Sequence, residues 1–189
     1  MFAELVRKNR SYRRFFENEP LSEDLLTEWI SLARLTPSGA NKQAVRYILS
    51  TRKEINEKIY ARLGWAGYFP DWDGPAPGER PSAYIILLQQ ASYKAGSPYD
   101  IGIAAQTILL AAVEKGYGGC MLGNIHREEL KKDLQLAEDL EILLVLALGK
   151  PKETVVIDDI SPGENIRYWR ESDGTHHVPK IKTEDLILK

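Results

Sequence analysis

The sequence predicts a single domain in which helices alternate with buried strands. Two short apolar runs, at residues 83–88 and 142–148, have the continuous hydrophobic pattern of strands that are covered on both faces. Between them, residues 101–116 form a helical pattern that is apolar almost all round, as expected of a central, buried helix. The length of 189 residues suits one domain, 1–189, with a substantial core.

The elements before the first buried strand follow from local signals. Spaced apolar residues at the N-terminus predict a short helix that Asn9 ends. Ser22 is placed to cap a second helix, whose apolar residues recur at helical spacing as far as Ala33. Alternating apolar and polar residues then predict a strand that begins at Val45.

The next segment combines a helical pattern with a long loop. Residues 53–63 predict a helix, and Gly64 is placed to end it. Residues 64–81 are rich in proline, glycine and aromatic side chains, which is too irregular for a helix or strand and too apolar for a plain linker. We expect this aromatic loop to line or cover a pocket.

Asp100 is placed to cap the long central helix. After that helix, the pattern predicts a short strand in GYGGCMLG and an exposed helix in REELKKDLQL. The tail, residues 150–189, shows no compact pattern of its own but carries several apolar residues. Because such an arm needs a surface to cover it, we expect it to pack on the partner subunit of a homodimer.

Composition excludes several classes of function. A formal net charge of -2 argues against a nucleic-acid-binding protein, which would carry a basic excess. No apolar run is long enough for a membrane span, and the charged N-terminus does not resemble a signal peptide. Cys120 is the single cysteine, so no intramolecular disulfide can form. We expect a cytoplasmic protein without a membrane or nucleic-acid partner.

The clearest candidate site is the basic run from Arg7 to Phe16, RKNRSYRRFF. One interpretation is surface charge that the acidic residues downstream neutralise. The other is an anion site, because arginine offers a fork of donors that matches phosphate and Ser11 adds a hydroxyl between arginines. In an extended chain, Ser11 and Arg13 would project to the same side.

The loop PSGANKQ supplies a second group of polar residues. Its proline and glycine favour a rigid turn with exposed backbone amides. Ser38, Asn41 and Gln43 could read the edge of a flat heterocycle, although a plain helix-to-strand turn would have the same composition.

The other candidate residues give weaker evidence of a functional site. His176 and His177 are adjacent and have no accompanying metal-binding motif, so we interpret them as ordinary solvated histidines and predict no metal site. Cys120 lies in an apolar strand and is interpreted as an inert hydrophobic side chain rather than a nucleophile. No phosphate-binding loop or dinucleotide fingerprint is present in the sequence.

Taken in order along the chain, these segments resemble the nitroreductase family of FMN-dependent oxidoreductases. NRSYRRF is similar to the family's RRSxRxF motif, PSGANKQ to its PSGxNxQP loop, and DIGIAAQTILLAAVEKGYGGCMLG to its central helix and following strand. LGKP and VPK fall where the family has a strand end and a C-terminal basic residue. Ala44 and Val45 depart from the proline and aromatic residue usual after the glutamine.

The resemblance implies an α+β, three-layer fold with a central mixed, mostly antiparallel sheet flanked by helices. It also implies a homodimer that binds FMN at its interface and exchanges C-terminal arms. No side chain would then be catalytic, because the flavin carries the chemistry. The residues that the resemblance assigns to the cofactor are Arg10, Ser11, Tyr12, Arg13, Pro37, Ser38, Asn41, Gln43, Leu122, Gly123 and Lys180.

The resemblance also divides these residues by role. The arginines and Ser11 would hold the phosphate and the pyrimidine side of the flavin, with Lys180 from the arm. The PSGANKQ loop would come from the opposite subunit, and the backbone of Leu122 and Gly123 would face flavin N5. Lys180 replaces the arginine that is common in the family, which keeps the charge but loses the fork.

The activity implied is electron transfer from NAD(P)H through FMN to a nitroaromatic, quinone or similar flat acceptor. Two alternatives stay open at this point. The same fold could run a different flavin reaction, such as reductive dehalogenation or substrate oxidation. The protein could also bind flavin without turnover, or be a basic adaptor that binds none.

Overall fold

The structure is a computed structural model that describes residues 2–93 and 98–188. Its helices are α1 (Phe2–Lys8), α2 (Glu23–Ala33), α3 (Lys53–Tyr60), α4 (Pro98–Glu114), α5 (Arg127–Asp133) and α6 (Thr183–Leu186). Its strands are β1 (Val45–Ser50), β2 (Ala83–Gln90), β3 (Gly118–Leu122), β4 (Leu140–Gly149), β5 (Val155–Ile160), β6 (Trp169–Arg170) and β7 (His176–Ile181). No helix of the described residues is long and apolar enough to cross a bilayer.

Local signals explain where most helices begin and end. The Ser22 hydroxyl accepts a hydrogen bond from the Leu25 N–H at 3.2 Å, so the predicted cap of α2 is confirmed. The third helix is shorter than predicted and ends at Tyr60. The chain leaves the helix there because Leu63 pairs with Ile125 in an isolated β-bridge. The prediction that Gly64 ends this helix was therefore wrong.

Four strands form the central sheet in the order β1-β2-β4-β3, and each neighbouring pair is antiparallel. β1 and β3 are therefore its two edges. A parallel β-bridge between Ser11 and Gly119 lies beside β3 and is the parallel element of an otherwise antiparallel arrangement. The RSYRR segment thus runs along one edge of the sheet.

Two separate apolar cores place the sheet in the middle of three layers. Alternate residues of β2 point to opposite faces, as the two-residue period of a strand requires. Ile85 and Leu87 join the core made with α2 and α4, whereas Tyr84 and Ile86 join the core made with α3 and α5. All four side chains are at most 1% exposed. The α+β, three-layer prediction is confirmed.

The tail is more regular than the sequence suggested. It forms a three-stranded sheet in the order β5-β7-β6, with β5 and β7 parallel. Within this single chain, the tail begins against the N-terminal segment. Phe15 bridges to Pro151, and the Lys152 N–H donates to the Arg14 carbonyl at 2.9 Å. The interpretation of the tail as lacking compact structure was wrong, while its packing on a partner stays a prediction.

Candidate functional site

The RSYRR segment is held tightly against β3. The Tyr12 N–H donates to the Gly119 carbonyl at 3.0 Å, beside the bridge made by Ser11. Gly118 allows this close approach, because a Cβ there would lie 2.6 Å from the Tyr12 ring. Gly119 serves the sheet itself, since a Cβ there would lie 2.5 Å from the carbonyl oxygen of Ala147 in β4. Both glycines therefore fit close packing rather than a nucleotide fingerprint.

Arg10 and Arg13 flank this contact, and both are half-buried. Arg10 donates to the Val6 carbonyl at 2.8 Å, and Arg13 donates to the Ser11 carbonyl at 3.2 Å. The buried Nε atoms of both arginines have no hydrogen-bond partner among the described residues. Because unpaired buried donors are costly, these two guanidinium groups are well placed to bind an anion.

Arg14 is different because it is committed to the fold. Its guanidinium makes two hydrogen bonds to the Glu79 carboxylate, at 2.6 and 2.7 Å. These bonds, together with a hydrogen bond from Lys152, lower the pKa of Glu79 to about 2 despite its burial. The third arginine of the segment is therefore a structural anchor.

Glu153 was missed by sequence reasoning and holds Arg13 in place. Its side chain is fully buried, and its carboxylate accepts a hydrogen bond from the Arg13 backbone N–H. The other carboxylate oxygen lies 3.2 Å from Nη2 of Arg170. Tyr168 adds a cation–π contact, with its ring centroid 4.9 Å from the Arg13 guanidinium carbon. Recognising these contacts would have required the position of the tail.

The aromatic loop packs against the tail of the same chain. Phe69 lies 5.2 Å from the Tyr168 ring centroid and 5.7 Å from the His176 ring. The Arg170 guanidinium stacks 4.2 Å above the Trp72 ring. The loop, the tail and the Arg13 region therefore form one connected cluster.

His176 corrects the prediction of solvated histidines. It is fully buried, and neither ring nitrogen has a partner among the described residues. Burial, reinforced by the positive charges of Arg13 and Arg170, lowers its pKa to about 4. His177 points the other way and contacts Asp158 at 3.0 Å. Burial raises the pKa of the Cys120 thiol, which fits the inert role predicted for it.

The PSGANKQ loop has an unusual backbone. Ala40, Asn41 and Gln43 have φ angles of 49°, 53° and 48°, in the left-handed region that L-residues rarely adopt. The Ser38 hydroxyl accepts a hydrogen bond from the Gln43 N–H at 3.1 Å. Pro37, Ser38 and Gln43 line a cavity of about 290 Å³ beside β1. The loop therefore presents its polar groups from a strained, closed turn.

Asp100 is a second residue whose role the sequence did not reveal. It does not precede the central helix as a cap but lies inside its first turn, where it is 6% exposed. Its two oxygens accept from the Gly39 N–H at 3.0 and 3.1 Å. The carboxylate therefore binds the PSGANKQ loop, 61 residues away in sequence. The available signal was an acid at the start of a mostly apolar helix.

The predicted site residues form two groups at opposite edges of the sheet. Arg10 to Arg13 lie along β3, and Leu122 and Gly123 lie at its end. A Cβ at Gly123 would meet nothing within 4 Å, so the space beside its Cα is open, while its carbonyl accepts from Arg127 Nη2 at 3.2 Å. The PSGANKQ loop precedes β1, and three strand spacings of about 4.8 Å separate the two edge strands. One chain does not bring the two groups together.

Lys180 is the remaining predicted residue. It lies exposed on β7, opposite Asp159 of β5. In this chain the tail residues that contact Arg13 are Glu153, at its backbone N–H, and Tyr168, at its guanidinium. The role predicted for Lys180 stays a prediction.

Comparisons with known proteins agree with this architecture. The model of the nitroreductase family matches residues 6–67 and 75–150. A Cr(VI) reductase of Pseudomonas sp. is 27% identical over 163 residues, covering 80% of this chain and 67% of that protein. An iodotyrosine deiodinase of Thermotoga neapolitana is 25% identical over 170 residues, covering 81% of this chain and 90% of that protein.

The likeness extends to three-dimensional structure. The crystal structure of NfnB from Sphingopyxis sp. strain HMH, an FMN- and NADPH-dependent nitroreductase, superposes with a TM-score of 0.64. That match has 18% sequence identity and covers 80% of this chain and 89% of the other. The family model covers well over half of the sequence, including both segments that form the candidate site. The chain belongs to the nitroreductase family.

Proposed function

We propose that this protein is an FMN-dependent oxidoreductase that takes electrons from NAD(P)H and passes them to a nitroaromatic, quinone or similar flat acceptor. The observation that carries the proposal is the pair of half-buried arginines, Arg10 and Arg13, whose buried Nε atoms have no partner among the described residues. They flank a backbone segment held against β3, the strand that Gly123 directly follows. Membership of the nitroreductase family supports the same cofactor.

The residues present fit FMN. Arginine donors suit its phosphate and the electron-rich side of its ring, and Ser11 is exposed between them. When bound, FMN would supply the hydride-accepting chemistry. Arg13 would hold a positive charge at the pyrimidine side, and the backbone at Leu122 and Gly123 would orient the reactive edge. Lys180 would add a charge from the arm.

We further propose that two chains complete each site. The loop with Ser38 and Asn41 lies at the sheet edge opposite Arg13, so a partner is the natural source of the second group. Exposed apolar side chains are available for such an interface, among them Tyr99 at 77% and Leu188 at 93% exposure. Exchange of the C-terminal arms between the two chains would bury Leu188.

Mixing two defective variants tests the shared site. Arg13→Ala removes the first group, and a loop variant such as Asn41→Leu removes the second. If sites are shared between chains, co-expressed variants form mixed dimers with one intact site and recover FMN binding that neither variant has alone. If the co-expressed variants recover no FMN binding, the proposal of a shared site is contradicted.

Anaerobic reduction tests the activity itself. We expect NADH or NADPH to bleach the flavin absorbance of the FMN-loaded protein, and an added quinone or nitroaromatic to restore it. If neither nicotinamide reduces the flavin, the reductase proposal fails, and a flavin-binding protein without turnover takes its place.

A second candidate is reductive dehalogenation, which the deiodinase relative of Thermotoga neapolitana favours. The cluster of Phe69, Trp72 and Tyr168 offers aromatic surface near Arg13. Chemically reduced protein distinguishes the two reactions. Halide release from a halogenated phenol, without turnover of nitroaromatics, would favour dehalogenation over the leading proposal.

A further inference from the structure

We infer that Asp100 is the positioning residue of the PSGANKQ loop and sets how Asn41 and Gln43 face the cofactor. The inference rests on the function proposed above. Asp100 is buried in the first turn of α4, and its carboxylate accepts a hydrogen bond from the Gly39 N–H of the loop. Both carboxylate oxygens lie within 3.1 Å of that nitrogen.

The backbone of the loop explains why it needs an anchor. Ala40, Asn41 and Gln43 all hold positive φ angles, and none of them is a glycine. Such conformations are unfavourable for residues with a Cβ and persist only where surrounding contacts impose them. Strained backbone of this kind concentrates at binding sites, where it presents groups that a relaxed turn would not.

Two contacts hold the strained turn closed. The Ser38 hydroxyl bonds the Gln43 N–H and closes the loop on itself. Asp100 binds the Gly39 N–H and fixes the loop to the central helix. Arg46 of β1 also donates to the Gln43 carbonyl at 2.7 Å, but it lies only three residues from the loop. Asp100 fixes the loop to an element 61 residues away and therefore sets where the turn lies.

Asp100 also borders the cavity that the loop lines. This cavity of about 290 Å³ is shared by Pro37, Ser38, Gln43 and Asp100. Loss of the carboxylate would therefore let the loop relax into space beside its own binding groups. The expected consequence is a mobile loop and a faster release of FMN.

The test compares Asp100→Ala, which removes the acceptor of the Gly39 N–H, with wild type by two measurements. In the flavin-free protein, hydrogen exchange of residues 38–43 is expected to accelerate by about tenfold, while the core strands stay protected. In FMN titrations followed by flavin fluorescence, the dissociation constant is expected to rise by about tenfold, with most of the change in the off-rate.

Two controls separate positioning from general stability. Asp24→Ala makes the same change in the first turn of α2, at an exposed site, and should alter neither measurement. Leu26→Val lowers global stability from the core and should leave the FMN dissociation constant within about twofold. If Asp100→Ala prevents folding, Asp100→Glu displaces the same carboxylate by one methylene and serves the same comparison.

The outcomes are distinguishable. Unchanged exchange of the loop in Asp100→Ala would overturn the anchoring role. Faster exchange with an unchanged FMN dissociation constant would overturn the role toward the cofactor. If wild-type protein binds no FMN, the proposed function fails, and the exchange comparison in flavin-free protein still decides whether Asp100 anchors the loop.

Discussion

Replacing Arg170 with methionine should leave the buried carboxylate of Glu153 without its ion-pair partner. The Glu153 side chain is fully buried and pairs with Arg170 at 3.2 Å, while its other oxygen accepts from the Arg13 N–H. Breaking one side of a buried ion pair costs about 3–5 kcal/mol. Arg170 keeps 17% of its side chain exposed, and the Arg13 contact remains, so we expect the lower end, about 3 kcal/mol.

Urea denaturation and thermal unfolding measure this cost. For a chain of 189 residues, about 3 kcal/mol corresponds to a fall in Tm of about 6–12 °C. Adding Glu153→Gln should recover at least about 2 kcal/mol, because the neutral amide needs no ion-pair partner and can still accept from Arg13. Arg167→Met is the matched control, since that exposed arginine lies 5.6 Å from the Tyr68 ring.

Two results would refute this reasoning. One is an Arg170→Met variant within about 0.5 kcal/mol of wild type, which is the range of ordinary surface substitutions. The other is a double variant that is no more stable than Arg170→Met. Either result would mean that Arg170 does not stabilise the buried carboxylate of Glu153.

Three further predictions address the site and its surroundings. Arg13→Ala should weaken FMN binding by about tenfold or more and lower the flavin reduction potential. Arg7→Ala, on exposed α1, should change neither. If the two variants weaken FMN binding equally in equilibrium titrations, the assignment of Arg13 is contradicted. Cys120→Ala should leave turnover nearly intact, and a complete loss would restore the thiol as a candidate nucleophile. His176→Phe should remove a pH dependence of stability. The folded protein keeps this histidine neutral down to about pH 4, while the unfolded chain binds a proton below pH 6.5. Wild-type stability therefore falls as the pH is lowered from 6.5 to 4. Parallel unfolding curves for wild type and variant across that range would contradict the burial of this ring.

The parts of the fold that sequence predicted were those with strong local signals. Ser22 predicts the start of α2, because a capping hydroxyl acts within one helical turn. The apolar runs of β2 and β4 are continuous because both of their faces are covered. Gly64 failed as a stop signal because pairing of Leu63 with Ile125, 62 residues along the chain, ended the helix earlier.

The missing parts depend on contacts distant in sequence. The strands of the tail's small sheet lack a clear alternation, because β5 reads VVIDDI, β7 reads HHVPKI with a proline inside it, and β6 has two residues. Once β7 is known, the alternation of a strand explains why His176 is buried and His177 is not. Glu153 and Asp100 looked like ordinary acids because their partners, Arg13 and Gly39, lie 140 and 61 residues away.

The candidate site was predictable as a set of residues but not as an arrangement. The motifs identified Arg10, Arg13 and the PSGANKQ loop, whereas their separation at opposite sheet edges follows from the strand order. That order is fixed by long-range pairing of β2 with β4, which no local pattern encodes.

The central claim is that this chain binds FMN through the arginines beside β3. Calorimetric titration of FMN into flavin-free wild-type protein, with Arg13→Ala alongside, tests it most directly. We predict saturable binding of one FMN per chain by wild type and at least about tenfold weaker binding by the variant. Wild-type protein that takes up no FMN, or a variant that binds it equally well, would contradict the claim.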